Sequence, residues 1–212
     1  DTAIDILKLI LSIDPKDSWA RKEIVECFRG KYANHSRLED IIRSSDLTQE
    51  YRNIFEAIND FEKHIAFDVK HFVYHRSWGV GVIRKVENEK LIINFGKKFG
   101  IHEISLKMAV SALTPLANDH IWVLKATKSK EELVKLVKDD VIGTLKTIIK
   151  SFGNSCDFKR IKAELVPSIL TTGEWTSWNT KAKKILESDS TFGVAPNDIN
   201  QYIVRDHKIS QE

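Results

Sequence analysis

The sequence predicts an α+β chain made of a helical array, a small SH3-like or Tudor-like β-barrel and a second helical array. Two observations carry this. Apolar residues recur at helical spacing towards both ends, whereas between residues 70 and 105 the period drops to two. The joints of that middle stretch are turn-forming, at Gly79, at Asn88 with Glu89, and across 96–100. With 212 residues, of which 42% are apolar, the chain can bury a real core as one large domain or as two to three small modules. We place the modules at 1–66, which reads as the C-terminal part of a longer helical region, at 67–116, the barrel, and at 117–212, a C-terminal helical module.

In the first module, Ile4, Leu7, Ile10 and Leu11 fall at helical intervals, as do Ile24, Val25 and Phe28, and Gly30 is a plausible stop. Ser36 with Glu39 has the spacing of a capping box, and Asp46 with Gln49 a looser form of it. Four helices follow, at roughly 2–13, 17–30, 36–44 and 47–65. In the middle module KHFVYH, GVGVIRKV, KLIINF and IHEIS read as four short strands. A sheet so small must curl, close or pack on a neighbour to hide its core and limit exposed edges. A short helical piece then runs to Leu113 and ends at Pro115. Ser129 with Glu132 marks a helix near 130–138, Asp140 caps another that Gly153 closes, and Asp157 starts DFKRIKAELV, ended near Pro167. Thr172 can cap GEWTSWNTKAKKILES, with Trp175, Trp178, Ala182, Ile185 and Leu186 on approximately one face. Residues 191–205 read as extended, with Tyr202 and Val204 tucked back.

The chain opens on Asp1 and its only methionine is Met108, which implies a piece of something longer, with function partly outside it. No apolar run reaches membrane-helix length, so a cytoplasmic protein with no membrane contact is expected. Cys27 and Cys156 belong to neither a disulfide framework nor a zinc ligand set. The net charge of +3 hides an asymmetry. Residues 1–66 carry 10 Lys/Arg against 13 Asp/Glu, and residues 67–116 carry 8 against 4. The middle module is the basic one, a mild excess that permits nucleic acid nearby without demanding it.

The stretch HFVYHRSWGVGVI invites three chemical readings. A nucleotide loop fails on context, because a dinucleotide fingerprint needs a third glycine and a following helix, whereas the residues after Gly81 alternate like a strand. His71, His75 and His102 have no carboxylate at ligand spacing and no nucleophile beside them, so neither metal nor general base is implied. The acid pairs Glu131/Glu132 and Asp139/Asp140 fall in first turns or at caps, where negative charge is structurally favoured. No enzyme activity, cofactor, metal or small-molecule substrate is therefore expected. The candidates that remain are partner-binding: Trp78, either a core plug or an aromatic that a partner buries, and the basic residues Arg76, Arg84, Lys97, Lys98 and Lys107, either a wet face or a surface for phosphates or an acidic protein.

Several of these motifs resemble a known family. HFVYHRSWGVGVI, INFGKKFGIHEISLKMAVSALTPL, DHIWVLKA and CDFKRIKAELVPSILTTGEWTSWNTKAKKIL are similar to the N-terminal extension of long-form GreA-type transcription elongation factors, from about Tyr32 to Asp206. The β-module also resembles, more loosely, the RNA-polymerase-interacting domain of the CarD and transcription-repair coupling factor group, a Tudor-like barrel that docks on the polymerase β subunit. The resemblance implies a non-catalytic adaptor that binds RNA polymerase. The alternative is a Tudor-like module touching DNA or RNA through its basic face. The acidic-tipped coiled coil with which Gre factors act on backtracked RNA has no counterpart here, since no heptad pattern persists over several turns.

Overall fold

The computed structural model describes residues 2–205. The chain divides into two compact units, Asp1–Pro115 and Leu116–Glu212. The α+β class holds, with helical segments flanking an antiparallel sheet. No described helix is long and apolar enough to cross a membrane.

The first unit begins with α1 (Thr2–Ile13), α2 (Ser18–Lys31), α3 (Leu38–Ser44) and α4 (Ile54–Ile65). Their inward faces, led by Leu11, Ile24, Phe28, Ile54 and Phe61, form one apolar core, with Phe28 and Phe61 at a centroid spacing of 4.5 Å. Two sequence expectations change here. The fourth helix starts at Ile54 and not near 47, because the Asn53 side chain accepts from the amides of Phe55 and Glu56, while Asp46 takes a left-handed φ of 56° in the turn before it. Ser36 does not cap α3: Arg37 is the flanking residue and makes no side-chain cap bond. The Ser36 hydroxyl donates instead to the buried Asp68, which also accepts from the Ser36 amide at 3.0 Å and the Val69 amide at 2.7 Å.

Four strands follow as expected: β1 (Phe72–His75), β2 (Gly79–Glu87), β3 (Lys90–Asn94) and β4 (Ile101–Ser105). Gly79 at φ 75° turns β1 into β2, and Asn88 and Glu89, at 48° and 60°, make the two-residue turn into β3. A helical turn, α5 (Gly96–Phe99), links β3 to β4, and α6 (Leu106–Ala112) leads into β5 (Leu113–Leu116). This fifth strand, short and interrupted by Pro115, escapes the period-two pattern. The sheet order is β4-β3-β2-β1-β5, so β4 and β5 are its outer strands. Val73, Ile83, Leu91, Ile93, Phe95 and Ile104 fill the core beneath it.

In the second unit, α7 (Ile121–Thr127) precedes α8 (Lys130–Asp139), α9 (Val141–Ser151), α10 (Phe158–Leu165) and α11 (Thr172–Ser188), and a hairpin of β6 (Phe192–Ala195) and β7 (Asp198–Val204) ends the described chain. Residues 206–212 of the third expected module, including Asp206, lie outside the described residues. The capping boxes are well placed: Ser129 with Glu132 starts α8, and α11 starts one residue earlier than expected, with Thr171 and Glu174 as its reciprocal pair. Trp175, Trp178, Ala182 and Leu186 turn into a core shared with Leu145, Ile148, Ile161 and Leu165. The Trp178 indole N–H donates to the Val137 carbonyl at 2.9 Å, satisfying the one polar atom it buries.

Candidate docking surface on the five-stranded sheet

The turn between β1 and β2 is held locally: the Ser77 amide donates to His75 Nδ1 at 3.1 Å. On the neighbouring joint, the Gly96 amide donates to Asn94 Oδ1 at 2.9 Å, and His102 Nε2 donates to the Phe99 carbonyl at 2.9 Å. Because His75 pairs with Gly79 and Asn94 with both Val82 and Ile101, these two joints meet at the same end of the sheet. There the half-buried Trp78 ring lies between two imidazoles, 4.0 Å from that of His75 and 3.8 Å from that of His102. Phe95 closes the cluster from below at 5.2 Å. Gly81 is buried because Phe95 and Ile93 pass so close that a Cβ would stand 2.7 Å from both. The Gly-x-Gly thus serves one turn and one close approach.

The six expected partner-binding residues do not form one patch. Arg76, Trp78, Lys97 and Lys98 share the end of the sheet just described, with all three cations exposed. Arg84 is exposed on β2, an interior strand, at the register shift between Ile83 and Lys85. Lys107 lies in the first turn of α6 at the opposite end, beyond the Lys90–Ser105 pair, and lines a cleft of about 620 Å³ with Arg37, Arg43 and Lys63 above Ile41 and Phe67. Sequence reasoning missed the apolar side of the first end. On and beside the outer strand β4, Ile101 is 67% exposed and Phe99 37%, flanked by Lys97 and Lys98. A strand pattern shows that Ile101 alternates but not which face lacks a neighbour.

Other titratable groups are engaged structurally. Burial pushes the His35 pKa down against the pull of Asp68, 3.7 Å away. Burial also opposes ionisation of Asp68, yet its three donors at Ser36 and Val69 hold the carboxyl below the usual range. In the second unit the buried Glu164 accepts from Trp122 Nε1 at 3.2 Å and Lys125 Nζ at 2.9 Å, with Arg160 Nε at 3.3 Å. Burial raises the Cys156 thiol to about 11, which keeps it protonated and unreactive at neutral pH. Glu132 and Asp140, from the two acid pairs, cap α8 and α9.

Residues 122–209, most of the second unit, match the GRAD helix-turn-helix domain. The chain is 53% identical over 211 residues to a putative GreA-associated domains protein of Treponema pallidum, covering all of this chain and 32% of that relative. It is 41% identical over 203 residues to a transcription elongation factor GreA of Borreliella burgdorferi, covering 96% of this chain and 22% of the relative, and 24% identical over 205 residues to one of Chlamydia pneumoniae, covering 95% and 28%. The chain therefore spans between about a fifth and a third of these relatives, and the likeness to GreA-associated sequence read from its motifs holds. No solved structure matches the chain significantly.

Proposed function

We propose that this chain is a non-catalytic accessory region of a GreA-type elongation factor that binds RNA polymerase through its sheet, on the β subunit, in the cytoplasm. The observation that carries the reading is the outer strand β4, which opens on the exposed Ile101 directly after the exposed Lys97, Lys98 and Phe99 of α5. An outer strand has backbone N–H and C=O groups that a partner strand can complete, and an apolar centre with a cationic rim suits an acidic protein edge. Arg76 extends that rim. This is the mode expected of a Tudor-like polymerase-binding module, and the similarity to GreA factors supplies the partner. Trp78 supports the end of the sheet from within and does not act as an open stacking platform, since both its faces are covered. That geometry favours a protein partner over a single-stranded nucleic acid at this site.

The test is binding of the full chain to nuclease-treated core RNA polymerase by biolayer interferometry. Lys97→Glu/Lys98→Glu slows association, and Ile101→Lys weakens affinity by about thirtyfold, corresponding to roughly 2 kcal/mol for a lost hot spot. Unchanged binding in both variants overturns the reading.

A further inference from the structure

The helices and the strands of the first unit meet at the end of the sheet where Lys90 pairs with Ser105. There the Leu106 amide donates to the Glu89 carbonyl at 2.8 Å, which ties the β2–β3 turn to the start of α6, and Ser105 caps that helix by accepting from the Met108 amide at 3.2 Å. The cleft of about 620 Å³ is lined by this turn, by α6, by α3 and by the C-terminal half of α4. Its volume is that of a binding site, for which roughly 300–1,000 Å³ is usual.

The floor of the cleft is apolar. Ile41, Phe67 and Leu106 are at most 9% exposed, and Val110 packs on the same core as Phe67 and Leu106. The charges around the floor do not cancel. Asp60 is engaged by Arg52, outside the cleft, and Asp40 lies 3.8 Å from Arg43. Among the described residues, Arg37, Lys63 and Lys107 form no ion pair, and of the lining carboxylates only that of Glu89 is likewise uncommitted. Three uncommitted cations therefore surround an apolar floor beside one uncommitted carboxylate. A ligand that satisfies both parts carries several negative charges and at least one apolar group.

We propose that this cleft binds an acidic peptide segment of a partner protein, with a large apolar side chain of the peptide on the floor formed by Ile41, Phe67 and Val110, and its carboxylates against Arg37, Lys63 and Lys107. A nucleotide or a nucleic acid strand matches the cleft less well. Phe67 is 3% exposed, so a base finds no open phenyl or indole face on which to stack. The lining as a whole sets four Lys/Arg against three Asp/Glu, a surplus too small to gather phosphates. The site lies at the end of the sheet opposite Lys97 and Lys98, and it stands or falls independently of polymerase docking by β4.

The experiment selects random peptides of about twelve residues on the immobilised full chain and measures the enriched sequences by fluorescence anisotropy. Enriched sequences combine several Asp or Glu with a large apolar residue, and Lys63→Glu/Lys107→Glu weakens their binding at least about tenfold. Arg37→Ala weakens it at least about threefold, and alone decides the matter if circular dichroism shows the double variant misfolded. Lys97→Glu/Lys98→Glu leaves the affinity within about twofold of the parent, which separates this site from the one at β4. Replacing the peptide's acids by their amides, or its apolar residue by alanine, costs at least about tenfold in each case. Four results overturn the proposal: no enrichment of acidic over neutral peptides, binding that the cleft variants leave unchanged, an equal loss in the Lys97/Lys98 control, or a single-stranded DNA of about ten bases bound at the cleft more tightly than the peptides.

Discussion

The indole of Trp78 lies flat on the imidazole of His102, their centroids 3.8 Å apart and their planes 16° from parallel. The two residues stand 24 positions apart in sequence and meet because β3 pairs with both β2 and β4, which brings the β1–β2 turn and the start of β4 to the same end of the sheet. The stack ties the β1–β2 turn to the β3–β4 joint, so the end of the sheet that presents Arg76, Lys97 and Lys98 is held as one piece.

Trp78→Ala should therefore cost stability, by roughly 2 kcal/mol, since each aromatic contact contributes about 0.5–1.5 kcal/mol beyond its buried area. Trp78→Phe recovers most of it. Urea unfolding measures both. A change within about 0.5 kcal/mol for the alanine variant would mean the stack supports nothing.

The two glycines of the turn should fail for different reasons. Gly81→Ala drives a methyl group into Ile93 and Phe95 and destabilises by about 1–3 kcal/mol through overpacking. Gly79→Ala meets open space but must hold a φ of 75°, at about 1 kcal/mol. Phe95→Leu, by removing ring atoms that crowd residue 81, should relieve the first variant and leave the second unchanged in a double-mutant cycle.

Acid should destabilise each unit through one buried histidine. Burial, the largest influence on both, lowers the pKa of His35 in the first unit and His120 in the second from the ordinary value of 6.5. Between the lowered folded value and 6.5 the unfolded chain binds more protons, so this contribution is fully present above about 6.5 and is lost as pH falls below it. Asp68 faces His35 and moderates its shift, and Glu164, Asp119 and Arg160 act on His120. His120 also caps α7 by accepting from the Trp122 amide at 3.0 Å, so His120→Asn, which keeps an acceptor there, should flatten the pH dependence of the thermal midpoint.

A second acid limb lies lower. The Lys138 side chain, with the Thr171 amide and hydroxyl, brings the Glu174 carboxyl from 4.5 to about 2. A lowered carboxylate stabilises above its unfolded value, so this contribution is whole above 4.5 and fades as pH falls towards 2. Glu174→Gln should remove that limb from the pH profile while retaining the capping geometry. An unaltered profile below pH 4.5 would show that the pair is screened in solution.

The strands and their turns were legible because side-chain alternation and the Gly79, Asn88 and Gly96 turn residues act locally, and the same holds for the Ser129–Glu132 capping box. Expectations failed where two local patterns competed or where the decisive partner was distant. Asp46 with Gln49 resembles a helix start as well as Asn53 with Glu56 does, and the chain takes the second, with Asp46 left in a left-handed turn. Ser36 with Glu39 has capping-box spacing, yet Asp68, 32 residues on, takes its hydroxyl. At the candidate site, exposed Lys97 and Lys98 were legible from charge. The histidines that sandwich Trp78, the apolar Ile101 on an outer strand and the separation of Lys107 from the rest depend on register, which spacing does not reveal.

The carboxylate of Asp68 bears on how this sheet could be moved between proteins. It sits three residues beyond the end of α4 and takes its hydroxyl and one of its two amide donors from Ser36, on the far side of two helices in sequence. A chimera that grafts only the strands, starting at residue 67, would leave that carboxylate without its serine, and the loop holding Ser36 without its anchor. The sheet is not a transplantable cassette. The smallest exchangeable segment that keeps the joint intact starts upstream of Ser36, and a swap between relatives should carry the serine-bearing loop and the strands together.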